Sequence, residues 1–239
     1  MIWHEVTGGS PEWARLRLGI PCSSEFHKLL TPKTRKVSSQ ATGYMYRLLA
    51  EWVTGEPCEN ESTEWMQRGQ ELEARARSAY ELLTDSEVTI GGFFTTDDGL
   101  IGCSPDGLIG DNGDLELKCP LIATQIGYAL GAGVDTDYMT QLQGRLMIHG
   151  REWVDIFAYH PRFSIPPVRV YRDEEFIRDL SAALAEFVDK MIALRERLER
   201  DYGPFVRTTD GIPAEAMIDT LGVSDADVDA IFAARGRNA

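Results

Sequence analysis

Cysteine is scarce in this 239-residue chain, and the four present (Cys22, Cys58, Cys103 and Cys119) never fall in a Cys-x-x-Cys spacing. That excludes the usual zinc and iron–sulfur clamps and points to reduced thiols in a cytosolic setting rather than a disulfide framework. No apolar run approaches transmembrane length, and the N-terminus does not read as a secretory signal, so no membrane partner is expected. Internal repeats and low-complexity tracts are also missing, which excludes a solenoid or a tail-dominated chain. Positive charge is in deficit: the net charge is −14 at pH 7, which argues against loose coating of nucleic acid. The basic charge that exists is concentrated. Residues 1–50 carry seven Lys/Arg against three Asp/Glu, a balance of +4, which leaves −18 for the rest. An acidic total is compatible with a confined DNA substrate beside metal-binding acids, and equally with no DNA binding.

Composition is that of an ordinary globular protein, and the length suffices for one substantial core with appendages. The chain is organised around Ser104-Pro105-Asp106-Gly107 and Leu115-Glu116-Leu117-Lys118-Cys119-Pro120. A turn-forming run, Gly110 to Gly113, separates the two, and Asn112-Gly113 suits a tight hairpin reversal with positive φ. Strand side chains alternate, so Glu116 and Lys118 share a face while Leu117 points into the core. The hairpin returns Asp106 to their neighbourhood, although one residue of register would change its partner. Two carboxylates and a lysine at one point suggest metal-assisted hydrolysis. Their oxygens suit Mg²⁺ or Mn²⁺, and a lysine there orients a nucleophile or stabilises charge in the transition state. An exposed hairpin with a surface Glu/Lys pair would show the same three residues. The apolar flanks, Leu115, Leu117, Cys119 and Pro120, instead mark a buried strand, where polar groups need a reason.

Ser-Pro-Asp-Gly-Leu followed by Leu-Glu-Leu-Lys-Cys-Pro resembles the YqaJ-type alkaline exonucleases of viral recombination, the family of the phage lambda exonuclease. These belong to the PD-(D/E)xK nuclease superfamily. The resemblance runs from about residue 13 to residue 203. It implies an α/β fold with a restriction-endonuclease-like core, a mixed central β-sheet flanked by helices. Residues 1–205 are expected to form the nuclease domain and residues 206–239 a C-terminal helical extension.

In chain order, Ser10 and Pro11 begin a helix that Gly19 stops, and a short helix follows over 23–30. On pattern alone Arg17 is a surface residue and Ser24 a cap. The resemblance instead matches Trp13-x₃-Arg17-Leu18-Gly19 and Ser24-Glu25 to the family segment that binds the DNA 5′-phosphate, with Ser104 as a further contact. Lys33, Arg35 and Lys36 lie in a loop where solvated charges and DNA-backbone contacts are equally good readings. Helices are expected over 41–54 and 62–83. In the second, Glu73 and Arg77 make an i, i+4 pair; the resemblance places Glu73 facing the metals. Glu71 lies about 200° away around the helix, so only one of the two can face the site. A strand is expected over 88–94, with Gly91-Gly92 as a bulge or close packing. Helices over 125–130 and 136–148, strands over 152–159 and 168–171, and a long scaffold helix from Asp173 to about residue 202, laid over the sheet, complete the domain. Tyr138-x-x-Gln141-x-Gln143 resembles the family helix whose first glutamine reaches the active site. Two short helices are expected over 215–221 and 225–234.

The resemblance implies a 5′-to-3′ exonuclease that digests the 5′ strand of linear duplex DNA to mononucleotides and leaves a 3′ strand for annealing. In that reading Asp106, Glu116, the Leu117 carbonyl and Glu73 hold Mg²⁺, with two ions about 4 Å apart and Mn²⁺ able to substitute. Lys118 and Gln141 orient the attacking water. The implied partners are DNA ends, two further copies in a ring-shaped trimer, and a single-strand annealing protein. The implied setting is the bacterial cytoplasm, from a phage or prophage. The rivals are a structure- or site-selective endonuclease of the same fold, and a catalytically silent DNA-end-binding scaffold.

Overall fold

The computed structural model describes residues 1–58, 64–131, 133 and 138–205. The expected extension, its two helices, and Ser62 and Thr63 at the start of the 62–83 helix lie outside the described residues.

The frame is a five-stranded mixed sheet. Its strands are β2 (Val88–Thr89), β5 (Gly107–Ile109), β6 (Gly113–Lys118), β7 (Trp153–Ala158) and β8 (Val168–Tyr171), hydrogen-bonded in the order β2-β5-β6-β7-β8. Only β6 and β7 run parallel; the other neighbours are antiparallel. A smaller antiparallel sheet joins β1 (Ile2–His4), β3 (Phe93–Thr95) and β4 (Gly102–Cys103) in the order β1-β3-β4.

Alternation along β6 decides what covers each face. Leu115 and Leu117 pack with Phe157 and Tyr159 against Ala76 and Tyr80 of α3 (Glu64–Thr84). On the opposite face Val154, Ile156 and Val170 pack against Leu142 and Leu146 of α5 (Met139–His149). The sheet is thus held between α3 and α5, and the polar residues Asp114 and Glu116 of β6 face α5. Beyond α5 lies a second apolar cluster, built by Tyr44 and Leu48 of α2 (Ala41–Thr54) and by Phe176, Leu180, Leu184 and Phe187 of α6 (Glu174–Tyr202). Asp173 caps α6, its Oδ1 accepting from the amides of Glu175 and Phe176. The long helix therefore covers α2 and α5, not the sheet directly as expected.

Local sequence explains most boundaries. Ser10 Oγ accepts from the Trp13 amide at 3.1 Å and opens α1 (Pro11–Arg17). The following turn is a 3-10 helix, Ser23–Lys28. A last helix near the site, α4 (Ile122–Ala129), begins before the expected residue 125.

Two expectations are corrected by backbone geometry. The 88–94 segment is not one strand, because the chain leaves the large sheet after Thr89 and enters the small one at Phe93. The glycines between serve close packing: a Cβ on Gly91 would sit 2.4 Å from the Pro105 carbonyl oxygen. The hairpin reversal is also not at Asn112-Gly113. Gly113 already pairs with Ile109, and the residue with positive φ is Gly110, at 51°. The first residues also form a strand, β1.

Candidate active site

The register Gly107↔Leu115 brings Asp106, one step before β5, level with Glu116 on β6. Asp106 Oδ2 accepts from the Leu117 amide at 2.7 Å, which fixes the carboxylate against the strand. Glu116 is only 3% exposed. Its Oε1 pairs with Lys118 Nζ and accepts from Gln141 Nε2 at 2.9 Å, and its Oε2 meets Arg145 Nη1. The contact with Arg145 is a close ionic one rather than an aligned hydrogen bond. The Lys118 ammonium also lies 4.3 Å from the centre of the Tyr138 ring, a cation–π contact that limits where it can swing.

In front of Asp106 opens a cavity of about 560 Å³. Its wall includes Arg17, Ser24, Glu73, Arg77, Ser104, Asp106 and Gln141. Glu116 and Lys118 do not line this cavity: Glu116 is buried behind Gln141, which donates to it, and Lys118 pairs with Glu116 there. Glu73 is half-buried and pairs with Arg77 at 2.8 Å, while Glu71, on the other side of the helix, is exposed. Arg77 also donates to the Asp106 carbonyl at 2.9 Å, tying α3 to the start of β5. The expected i, i+4 pair and a position on the cavity wall are therefore both true of Glu73.

Arg17 has a built support. Its guanidinium lies 4.0 Å from the centre of the Trp13 ring. The Trp13 indole N–H donates to Ser104 Oγ at 2.9 Å, and Ser104 donates in turn to the Gly92 carbonyl at 2.9 Å. Ser24 reaches the same wall from the 3-10 helix. Lys33, Arg35 and Lys36 do not line the cavity. Arg35 instead pairs with Asp179 and Glu175 of α6, at 3.2 and 3.3 Å.

Burial dominates the electrostatics of Asp106 and Glu73. Burial pushes the Asp106 carboxyl above its ordinary value, against the opposing pull of Arg145, the Leu117 amide and Lys118. Burial and then the Asp106 charge push Glu73 up as well, with Arg77 opposing. Cys22, also on the wall, is pushed up by burial despite Arg17, so it stays a thiol and is a poor nucleophile. Among the described residues no three His, Cys, Asp or Glu side chains form a preassembled metal cluster. The donor set nevertheless fits a hard divalent cation in kind. It offers carboxylate oxygens, and burial makes Asp106 and Glu73 hold protons more tightly than usual, a cost that a bound cation would offset.

Sequence reasoning missed Arg145, Asp114 and His149, and took Arg77 only as the partner of Glu73. The signal for the first three was present as spacing. Gln141, Arg145 and His149 recur every four residues on α5, and Asp114 and Glu116 every two on β6, so each set shares a face.

A sequence model of the family described as YqaJ-like viral recombinase domain matches residues 12–152. Among solved structures, the alkaline exonuclease LHK-Exo from Laribacter hongkongensis is similar, with a TM-score of 0.72 and 32% identity. That match covers 80% of this chain and 97% of the other. LHK-Exo in complex with dAMP matches at 31% identity, with the same TM-score of 0.72 and the same coverage of 80% and 97%. A phage-related exonuclease from Haemophilus somnus 129PT shares the fold alone, with a TM-score of 0.60 at 16% identity over 73% of this chain and 95% of its own. No curated protein matches the chain. The α/β fold with a helix-flanked mixed sheet is the fold these exonucleases share.

Proposed function

The chain belongs to the family of YqaJ-like viral recombinase domains, and from that membership we propose that it is a Mg²⁺-dependent 5′-to-3′ exonuclease on linear duplex DNA. It releases mononucleotides from the 5′ strand and leaves a 3′ single strand. The observation that carries this reading is that one cavity holds a supported arginine on one side and the Asp106 carboxylate on another. A terminal phosphate anchored at the first would present the next phosphodiester to the second.

Arg17 is preorganised for that anchor, since stacking on Trp13 fixes the guanidinium plane before substrate arrives. Ser104 holds Trp13 in place, and the Ser24 hydroxyl adds a donor to the same wall. Asp106, Glu116, the Leu117 carbonyl and Glu73 would hold Mg²⁺, as two ions that Mn²⁺ can replace, supplying a Lewis acid for the phosphate and a bound water of lowered pKa. Lys118 orients the attacking water and offsets negative charge as it develops at the phosphorus; a fixed donor of this kind contributes about 2.7–4 kcal/mol to a transition state. Gln141 steadies Glu116 Oε1 beside it. The relative solved in complex with dAMP supports a nucleotide as a ligand of this kind of protein.

The same reading includes a ring-shaped homotrimer, an annealing partner for the 3′ strand, and action in the cytoplasm of a bacterial host. Among the described residues, no helix is long and apolar enough to cross a membrane. Ile122 and Ile126 of α4 and the adjoining Leu130 are exposed and offer an apolar contact face.

The test uses linear and covalently closed duplex DNA, each with Mg²⁺ and with EDTA. Mg²⁺-dependent release of mononucleotides from linear DNA alone is expected. Cutting of the closed circle would replace the exonuclease with an endonuclease, and DNA-end binding without hydrolysis would leave a scaffold.

A further inference from the structure

Behind the carboxylate wall lies a charge cluster that the hydrolysis just described does not use. Arg145 is fully buried, at 0% exposure, and spans two acids of β6. Its Nη1 meets Glu116 Oε2. Its Nε donates to Asp114 Oδ2 at 2.9 Å, and its Nη2 reaches both Asp114 Oδ1 and, at 2.8 Å, the Leu115 carbonyl. His149 Nε2 lies 2.8 Å from Asp114 Oδ2 and completes the far end. The result is two ladders in register. Gln141 lies on Glu116, Arg145 lies between Glu116 and Asp114, and His149 lies on Asp114.

Such a cluster is a poor device for stability. Buried ion networks often gain nothing over a well-packed apolar side chain of the same volume. What it does supply is direction. Glu116 has two equivalent oxygens and a rotatable carboxyl, and on its own either oxygen could face Gln141 and Lys118. We propose that Arg145 is a positioning residue for Glu116. It holds Oε2 from behind, so that Oε1 is the oxygen turned toward Lys118 and toward Gln141, which itself lines the cavity. Asp114 and the Leu115 carbonyl hold the guanidinium plane, and His149 holds Asp114. Arginine suits the task because its rigid planar fork can bind several acceptors at once in fixed directions. A lysine ammonium has no such fork. This inference rests on the nuclease reading for what Glu116 does, but not for how Glu116 is held.

The test compares the full-length wild type with Arg145→Lys and with Asp114→Asn, which keeps the guanidinium but weakens its far anchor. Four quantities are measured: melting temperature, Mn²⁺ affinity by calorimetry without DNA, affinity for a duplex end in EDTA, and kcat and KM with Mg²⁺. For a residue that orients a ligand from behind, Mn²⁺ affinity and kcat should each fall about ten- to a hundredfold in Arg145→Lys. DNA-end affinity and KM should stay within about twofold, and Asp114→Asn should shift the same quantities by less. A folded Arg145→Lys with unchanged Mn²⁺ affinity and kcat would overturn the proposal. So would parallel loss of melting temperature, metal binding and DNA binding, which marks a merely structural residue. If Arg145→Lys does not fold, Asp114→Asn decides, and its failure to fold as well counts against positioning. If the wild type binds Mn²⁺ but cleaves nothing, the nuclease reading fails, and Mn²⁺ affinity alone judges Arg145.

Discussion

Replacing Lys118 with alanine should separate catalysis from folding. The Lys118 side chain is 24% exposed and pairs with a Glu116 side chain that is 3% exposed. Removing one member of a fully buried pair commonly costs about 3–5 kcal/mol, because the other charge is stranded. Glu116 is not stranded here, since Arg145 holds Oε2 and Gln141 still donates to Oε1. The folding cost should therefore fall to about 1 kcal/mol, the upper end for a partly exposed pair. In a domain of this length that is a drop of about 2–4 °C in Tm. The rate should suffer far more. Loss of a preorganised charge at the reacting phosphate costs about 10²–10³ in kcat. The assay is single-turnover release of nucleotide from linear duplex at saturating Mg²⁺, beside a thermal melt and a Mn²⁺ titration. Cleavage should be nearly lost, with Tm and Mn²⁺ affinity close to wild type. A variant that keeps more than about a tenth of the rate would refute the role given to Lys118.

Other outcomes follow from burial and packing. The Asp106 carboxyl is held above its ordinary value, so the folded metal-free protein binds more protons than the unfolded chain between the two pKa values. Stability from this group is then lost as pH rises through the folded value, and Asp106→Asn should melt higher than wild type in EDTA at alkaline pH. The gain should vanish below about pH 4, where the unfolded aspartate is protonated too, and Mg²⁺ should stabilise the wild type but not the variant. A lower melt for Asp106→Asn at alkaline pH would show that its charge is compensated without metal. Gly107→Ala would place a Cβ 2.3 Å from Val88 Cγ1, and the stiff valine cannot turn away. We expect a loss of about 1–3 kcal/mol in urea unfolding. Adding Val88→Ala should recover part of it, and simple additivity of the two losses would contradict the packing argument.

Elements with a strong local signal were legible in the sequence. The bounds of α2 and β8, the Asp173 cap of α6 and the Ser10 cap of α1 follow from side chains that act within a few residues. The β5–β6 hairpin and the approach of Asp106 to Glu116 were legible for the same reason. What was not legible depends on the partner surface. Nothing in residues 88–94 says that the chain changes sheets, because the break is packed against residues distant in sequence, Gly91 on Pro105 and Gly92 on His4 and Trp3. The position of positive φ at Gly110 rather than at Asn112-Gly113 follows from the pairing of Gly113 with Ile109, a register choice. Arg145 reads as a charged residue on an ordinary helix until β6 is laid beneath it. Arg17 and Glu73 could be chosen only by resemblance, since their place on one cavity wall depends on how the fold brings α1 and α3 to the same cavity.

The central claim is that one cavity both reads the 5′ end and cuts beside it. Its most direct measurement is the initial rate of nucleotide release from matched linear duplexes with a 5′-phosphate or a 5′-hydroxyl, for wild type and Arg17→Ala. Arg17 should make the wild type prefer the phosphorylated end by about tenfold or more, as a charge-assisted contact of about 1.5–3 kcal/mol requires. Arg17→Ala should lose that preference while its slow rate on the hydroxyl end stays unchanged. Equal rates on both ends for the wild type, or a preference that survives in Arg17→Ala, would contradict the account.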